Sequence, residues 1–177
     1  MSKIEIAVAF CVAGHQACGQ KRKFSGGKYF EHPIEVSKLV VLFDGSEDMI
    51  CAALLHDLVE DTQIPLTSIL TTFGKPVADM AAGLTKVSKL EDGDRAVRKA
   101  IDLEHTAVQS PDTKTIKLCD VISNMSDIHD GEVEWAKKYV LEKELLLEVL
   151  KEGDIRAWNL ANGMVKAAKF VLFGDDE

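Results

Sequence analysis

Apolar positions recur three and four residues apart over most of the chain, and strand-type alternation is scarce. Ser2 to Gly19 predicts a first helix ended by glycine. The basic run Lys21, Arg22 and Lys23, followed by Gly26-Gly27 and Tyr29, predicts a loop as far as Glu31. Pro33 sits at a favourable first helical position, and Ile34, Leu39, Val40, Leu42 and Phe43 carry that helix to about Asp44. Ser46 is an N-cap with Glu47 and Asp48 in the first turn, opening a helix to Asp61 that is apolar on most faces and so must be buried. Pro65 starts a short helix ending near Gly74, and Lys75 to Leu84 predicts another. A polar connection, 86–93, leads to a helical stretch over 94–109. After the turn at Ser110-Pro111-Asp112 a helix runs from about Thr113 to His129. Glu132 to Lys151 and Asp154 to Phe173 supply the last two, parted by Gly153. The expected fold is all-α: a single domain over 1–177, a helical bundle of about eight helices, with 132–177 as a C-terminal helical pair packed on the rest.

The chain of 177 residues is 46% hydrophobic and 28% charged, enough to bury a core and to exclude disorder. With 21 basic against 29 acidic residues its net charge is −8, which argues against a nucleic-acid binder working by bulk electrostatics. A phosphate ligand would then need local compensation, for which a metal ion is one candidate. Cys11, Cys18, Cys51 and Cys119 are scattered and form no C-x-x-C pair, so a disulfide framework or thiolate metal site is not expected. The expected setting is reducing and cytoplasmic. The apolar run from Ile6 to Gly14 is far short of the roughly 20 residues that span a bilayer, and no membrane association is expected.

Candidate chemistry starts at His56, Asp57, Glu60 and Asp61, four ionisable groups within six positions of an apolar helix. Read as one continuous helix, the i, i+3 and i, i+4 spacings put all four on one broad side. Carboxylates buried side by side repel unless a cation sits among them, and a divalent metal explains the cluster. A solvated helix end is the plain alternative. Asp120, flanked by apolar residues, needs an inward partner: a shared metal, a buried lysine or a helix N-terminus. His32, at a helix start, would complete a His, His, Asp, Asp set that suits Mn²⁺ or Fe²⁺ and could hold Zn²⁺, Co²⁺ or Ni²⁺. His15, His105 and His129 have no comparable context.

His32, His56-Asp57 and Asp120, in that order, resemble the H…HD…D pattern of HD-domain metal-dependent phosphohydrolases. Tyr29 to Val36 is similar to the Y-x-x-H-P-x-x-V stretch of the RelA/SpoT hydrolase domain, and Ala53 to Thr62 to its A-L-L-H-D-x-x-E-D-T motif. Phe73-Gly74 with Val77, Gly83-Leu84-Thr85-Lys86, and Lys117-Leu118-Cys119-Asp120 with Asn124-Met125 resemble three further features of that family. The resemblance runs from about His15 to Ile128. It departs at Lys28, where the family has proline, and at Val121 and Ser123, where it has arginine and histidine. The length leaves no room for the synthetase and regulatory domains of long members, so the resemblance is to the stand-alone, Mesh1-like small alarmone hydrolases.

That resemblance implies hydrolysis of the 3′-pyrophosphate of (p)ppGpp to GDP or GTP plus pyrophosphate, with Mn²⁺ as cofactor. It implies metal ligation by His32, His56, Asp57 and Asp120 and activation of the attacking water by Glu60 and Asp61. It places Arg22 and Lys23 at the nucleotide, the arginine stacking on the purine, and Asn124 near the ribose or phosphates. Tyr139 corresponds by position to a tyrosine near the nucleotide, and Lys86 is a phosphate contact or a solvated lysine. Other nucleotides (an adenine alarmone, a nucleoside monophosphate, NADPH) and a catalytically silent helical binding module are the competing readings. The partner is a small nucleotide, and a homodimer could use Leu145, Leu146, Val149, Val165, Phe170 and Leu172 unless this face packs on the core. Arg22, Lys23 and Lys28 would form the positive patch that the net charge conceals.

Overall fold

The computed structural model describes residues 1–22, 26–128 and 132–174. These form ten α-helices in chain order: α1 (Lys3–Ala17), α2 (Glu31–Leu42), α3 (Glu47–Leu55), α4 (Leu58–Asp61), α5 (Leu66–Phe73), α6 (Lys75–Leu84), α7 (Arg95–Ala107), α8 (Pro111–Ser126), α9 (Val133–Val149) and α10 (Ile155–Phe173). A short 3-10 turn, Leu90–Asp92, lies in the connection before α7. No strand occurs among the described residues, and no helix is long and apolar enough to cross a membrane.

The count exceeds the expected eight because the helix predicted from Ser46 to Asp61 is broken. α3 stops at Leu55, where the His56 side chain takes the Ala53 carbonyl at 2.8 Å, and the chain restarts as α4 at Leu58. A carbonyl near the helix end is thus satisfied by a ring nitrogen instead of a backbone amide. Elsewhere local chemistry sets the starts as the residues suggest. Ser46 and Ser110 accept from Met49 N and Thr113 N, and Ser2, Asp94 and Asp154 cap α1, α7 and α10 in the same way. Pro33 is the third residue of α2 and not its first, because Glu31 and His32 are already helical. α8 ends at Ser126, and His129 lies outside the described residues.

The core has two parts with one shared wall. α1, α2, α3, α5 and α6 enclose a cluster centred on Leu54, Leu55, Leu58 and Ile69. α9 and α10 close over a second cluster with Ala136, Val140, Leu147 and Val165. α8 serves both, giving Ile116 and Cys119 to the first and Leu118, Val121, Ile122 and Met125 to the second. A helix buried on so many sides must satisfy any polar group it carries inward. The turn into α10 presses on the start of α8. A Cβ at Gly153 would meet Thr115 N at 3.1 Å and the Lys114 carbonyl carbon at 3.2 Å, so only glycine fits without moving backbone. Of the apolar residues suggested for a dimer face, Val165 is buried and Leu146, Val149 and Leu172 pack on the second cluster, while Leu145 and Phe170 remain exposed.

Candidate functional site

The break between α3 and α4 delivers His56 and Asp57 to the place where α2 offers His32 and α8 offers Asp120. His32, His56 and Asp120 are buried, at 3%, 1% and 5% exposure, in a protein that would otherwise expel them. His32 Nε2 lies 3.1 Å from Asp120 Oδ1 and 3.8 Å from Asp57 Oδ2. His56 Nε2 lies 3.0 Å from Asp57 Oδ2 and 3.9 Å from Asp120 Oδ1. One donor atom each from His32, His56 and Asp57 fits within 4.8 Å.

Hydrogen bonding behind the rings decides what they present. The Ala53 carbonyl can only accept, so His56 must donate from Nδ1 and keep a lone pair on Nε2. The Ser123 hydroxyl donates to Glu35 Oε2 at 2.8 Å, so it accepts from His32 Nδ1 at 2.9 Å, and His32 too keeps its lone pair on Nε2. Two imidazole lone pairs and two carboxylate oxygens then face one point, and His56 Nε2 has no hydrogen-bond partner among the described residues. Two imidazoles and two carboxylates converging in this way make a donor set that suits a divalent cation. The carboxylates' pull for positive charge is visible in His56: burial disfavours its charged ring, yet Asp57 and Asp120 outweigh that and raise it to about 9.

Asp120 has a lysine partner on one oxygen and turns the other toward the histidines. Its Oδ2 pairs with Lys117 Nζ at 2.9 Å, leaving Oδ1 for the cluster. Burial would raise its carboxyl, but Lys117 and His32 hold it well below the usual range. Asn124 donates to that same Oδ1 at 2.6 Å and to the Asp120 carbonyl at 3.0 Å, so its amide is engaged with the aspartate. Tyr29, carried on the turn before α2, donates to Asp57 Oδ2 at 2.7 Å.

The cluster opens into a cleft of about 770 Å³, walled by α6, α7, α8 and α9. Glu60 lines it, with both carboxylate oxygens held by Lys86, one by the backbone amide and one by Nζ, each at 2.6 Å. Lys86 therefore stands at the cleft as an ion-paired lysine and not a freely solvated one; burial would lower it, but Glu60 raises it. Asp61 is not part of the lining. It sits at the exposed end of α4, where Gln20 Nε2 donates to it at 2.9 Å and His15 Nδ1 holds that Gln20 at 2.8 Å. Partial burial raises its carboxyl, with Asp57 and Glu60 acting in the same direction. Arg22 lines the cleft but is tied by Nη1 to Glu35 at 3.3 Å and by Nη2 to Asp127 at 2.6 Å. Lys23 lies outside the described residues.

Local positive charge comes from a different quarter than the loop around Arg22. Lys28 is not in the cleft lining; Lys86, Arg95, Lys99, Lys117, Lys138 and Lys143 are. Tyr139 lines it too, stacked on Trp135. Sequence reading missed Lys117, Ser123, Trp135 and Lys143. For Lys117 a signal existed, since it lies three residues before Asp120 on one helix and so can reach it. For Trp135 and Lys143 none did, because only the packing of α9 against α7 brings them to the cleft. Burial pushes Lys143 down to about 7; Asp120 and Glu142 oppose the fall and Lys117 and Lys99 add to it.

This arrangement can be set against known proteins. A probable guanosine-3′,5′-bis(diphosphate) 3′-pyrophosphohydrolase of Synechocystis is 36% identical over 123 residues, covering 68% of this chain and 16% of its own length. A protein of the same description from Mycoplasma pneumoniae is 27% identical over 137 residues, covering 72% of this chain and 18% of its own length. The chain thus spans less than a fifth of these relatives. Among solved structures, a metazoan ortholog of SpoT that hydrolyzes ppGpp matches with a TM-score of 0.84 at 23% identity, over 94% of this chain and 96% of that one. The crystal structure of lmo0812 from Listeria monocytogenes matches at 0.67 and 23% identity, over 82% and 99%. Both share the fold. The HD domain pattern itself matches residues 7–146, which include all four converging donors, and the chain belongs to the HD domain family.

Proposed function

We propose that this chain hydrolyses the 3′-pyrophosphate of ppGpp or pppGpp, releasing pyrophosphate and GDP or GTP. The observation that carries this reading is the convergence of two imidazoles and two carboxylates, from His32, His56, Asp57 and Asp120, on a cleft rich in lysine and arginine. The two relatives described as 3′-pyrophosphohydrolases support the choice of guanine alarmone. Those four residues would hold Mn²⁺. Bound there, the ion would acidify a water and offset phosphate charge. Lys117 and Asn124 keep Asp120 ionised and aimed. Glu60 accepts the proton of the attacking water, its carboxylate positioned by the backbone amide and Nζ of Lys86. Asp61, held by Gln20, acts on the site through its charge and its place beside Glu60. The cationic side chains of α7 and α9 pair with the phosphates, while Arg22, also in the lining, is already paired to Glu35 and Asp127.

The test is product analysis with Mn²⁺ and ppGpp. One pyrophosphate per ppGpp and no orthophosphate is the expected outcome. Intact ppGpp with the metal confirmed bound overturns the reading, and orthophosphate released from another nucleotide reassigns it. A pH effect accompanies turnover. Lys143 is cationic below about 7 and neutral above it, with Lys99 of α7, Lys117 and Asp120 of α8, and Glu142 of its own helix around it. Attraction for phosphate is therefore present at pH 6 and lost by pH 8. KM for ppGpp is expected to rise several-fold across that interval, by roughly 1 kcal/mol of lost charge–charge attraction. In Lys143→Met the rise should vanish; a wild-type slope retained in the variant would exclude Lys143 as its source.

A further inference from the structure

Residues 85–88 lead from α6 into the connection before α7, and each is held at a defined point. Thr85 closes α6, its amide and hydroxyl both donating to the Ala81 carbonyl. Lys86 gives its amide and its Nζ to the two oxygens of Glu60, at 2.6 Å each. Val87 and Ser88 give their amides to one oxygen of Asp102, at 3.1 and 3.0 Å, and the Ser88 hydroxyl donates to the other at 2.9 Å. Three consecutive amides thus end on two carboxylates, the first on α4 and the second on α7, and both acids line the cleft. Apolar burial does little to hold either partner of this link. No residue of 85–93 is buried, and α7 has no buried residue at all. Where so little apolar surface is covered, polar ties decide position. Peptide units are rigid planes, so with the amides of Val87 and Ser88 anchored, only the torsions of one residue separate the Lys86 amide from the anchor.

We infer that Asp102 is a positioning residue for the hydrolysis: it anchors the amides of Val87 and Ser88, and through them sets the Lys86 amide and ammonium that aim the Glu60 carboxylate. The inference deepens the proposed hydrolase reading and rests on it for Glu60 as the proton acceptor. Both Asp102 oxygens are engaged with this segment, so its contribution runs through those hydrogen bonds. The same link gives α7 a hold on the reaction. The helix that brings Arg95 and Lys99 to the cleft is tied, by way of Asp102, to the carboxylate that takes the proton.

Asp102→Ala is expected to lower kcat for ppGpp about 10- to 100-fold, with KM within about twofold and Mn²⁺ content unchanged. Asp102→Asn removes the charge but keeps an oxygen for the two amides, and should restore most of the loss. In a Glu60→Gln background Asp102→Ala should cost no more than about twofold further, because residues that act as a unit are not additive. A loss in Asp102→Asn equal to that in Asp102→Ala would overturn the inference, as would the full loss repeated on top of Glu60→Gln. Backbone amide exchange reads the link without turnover. In Asp102→Ala the Lys86 amide should lose protection about tenfold or more, together with those of Val87 and Ser88. Unchanged protection at Lys86 would break the link whatever the substrate. Thermal melts check each fold, and Asp102→Glu, which keeps the charge and displaces it by one methylene, carries the same cycle should Asp102→Ala not fold. If the wild type leaves ppGpp intact, the hydrolase reading fails on its own. Exchange at the Lys86 amide still decides whether Asp102 holds the segment.

Discussion

Asp57→Asn is expected to lose the metal and, with it, hydrolysis by roughly a thousandfold or more, about 4 kcal/mol of barrier. The substitution keeps the volume of the side chain and an oxygen for the Tyr29 hydroxyl, so the fold should persist. What goes is the negative charge that stands 3.0 Å from His56 Nε2 and 3.8 Å from His32 Nε2. Without it the two imidazole lone pairs face a single buried carboxylate, Asp120, which already shares its charge with Lys117. Ser123→Ala provides the graded comparison. It removes the group that accepts from His32 Nδ1 and links that ring to Glu35, and loss of such an outer partner costs about 10- to 100-fold in metal affinity. Metal content after dialysis against a defined Mn²⁺ concentration, with turnover measured in parallel, checks both. Full metal occupancy and full activity in Asp57→Asn would remove Asp57 from the ligand set.

Glu60→Gln and Asp61→Asn are expected to differ, although the sequence presents the two carboxylates as a pair. Glu60 lines the cleft onto which the four donors open; its loss should lower kcat by about 10²- to 10⁴-fold with metal still bound. Asp61 points to Gln20 at the exposed end of α4, so Asn in its place should cost about tenfold or less through weakened positioning and electrostatics. Single-turnover rates at fixed metal loading separate the two. Equal and severe losses would mean that Asp61 enters the cleft during the reaction. Unchanged rates in both variants would place the proton acceptor elsewhere.

The donors were legible because their spacing survives folding in any helical arrangement. His32 opens α2 and Asp120 sits mid-helix on a segment apolar on both sides, and each needs an inward partner wherever the helices pack. The geometry first used to group His56, Asp57, Glu60 and Asp61 was nevertheless that of a continuous helix, and the chain breaks there. The break sends Asp57 to the metal donors and Asp61 outward, a division that residue spacing cannot express. The helical class followed from composition and periodicity. The number of helices did not, since a side-chain hydrogen bond ended α3 within an apolar run. Positive charge was the least legible part. The loop with Arg22 and Lys28 looked basic in sequence, but Arg22 is spent on two acids and Lys28 lies outside the cleft. The cations that do line it are dispersed over α7, α8 and α9 and meet only in three dimensions.

α8 divides labour as well as space. Three of the four donors hang from the first cluster's helices and their junction, whereas α9, packed on the second cluster, lines the cleft from another side. A change on the cleft side of α9 that keeps Ala136, Val140 and Leu147 packed should thus leave the four donor atoms where they are. The lining of the cleft and the donor cluster can then vary separately, because they rest on different cores.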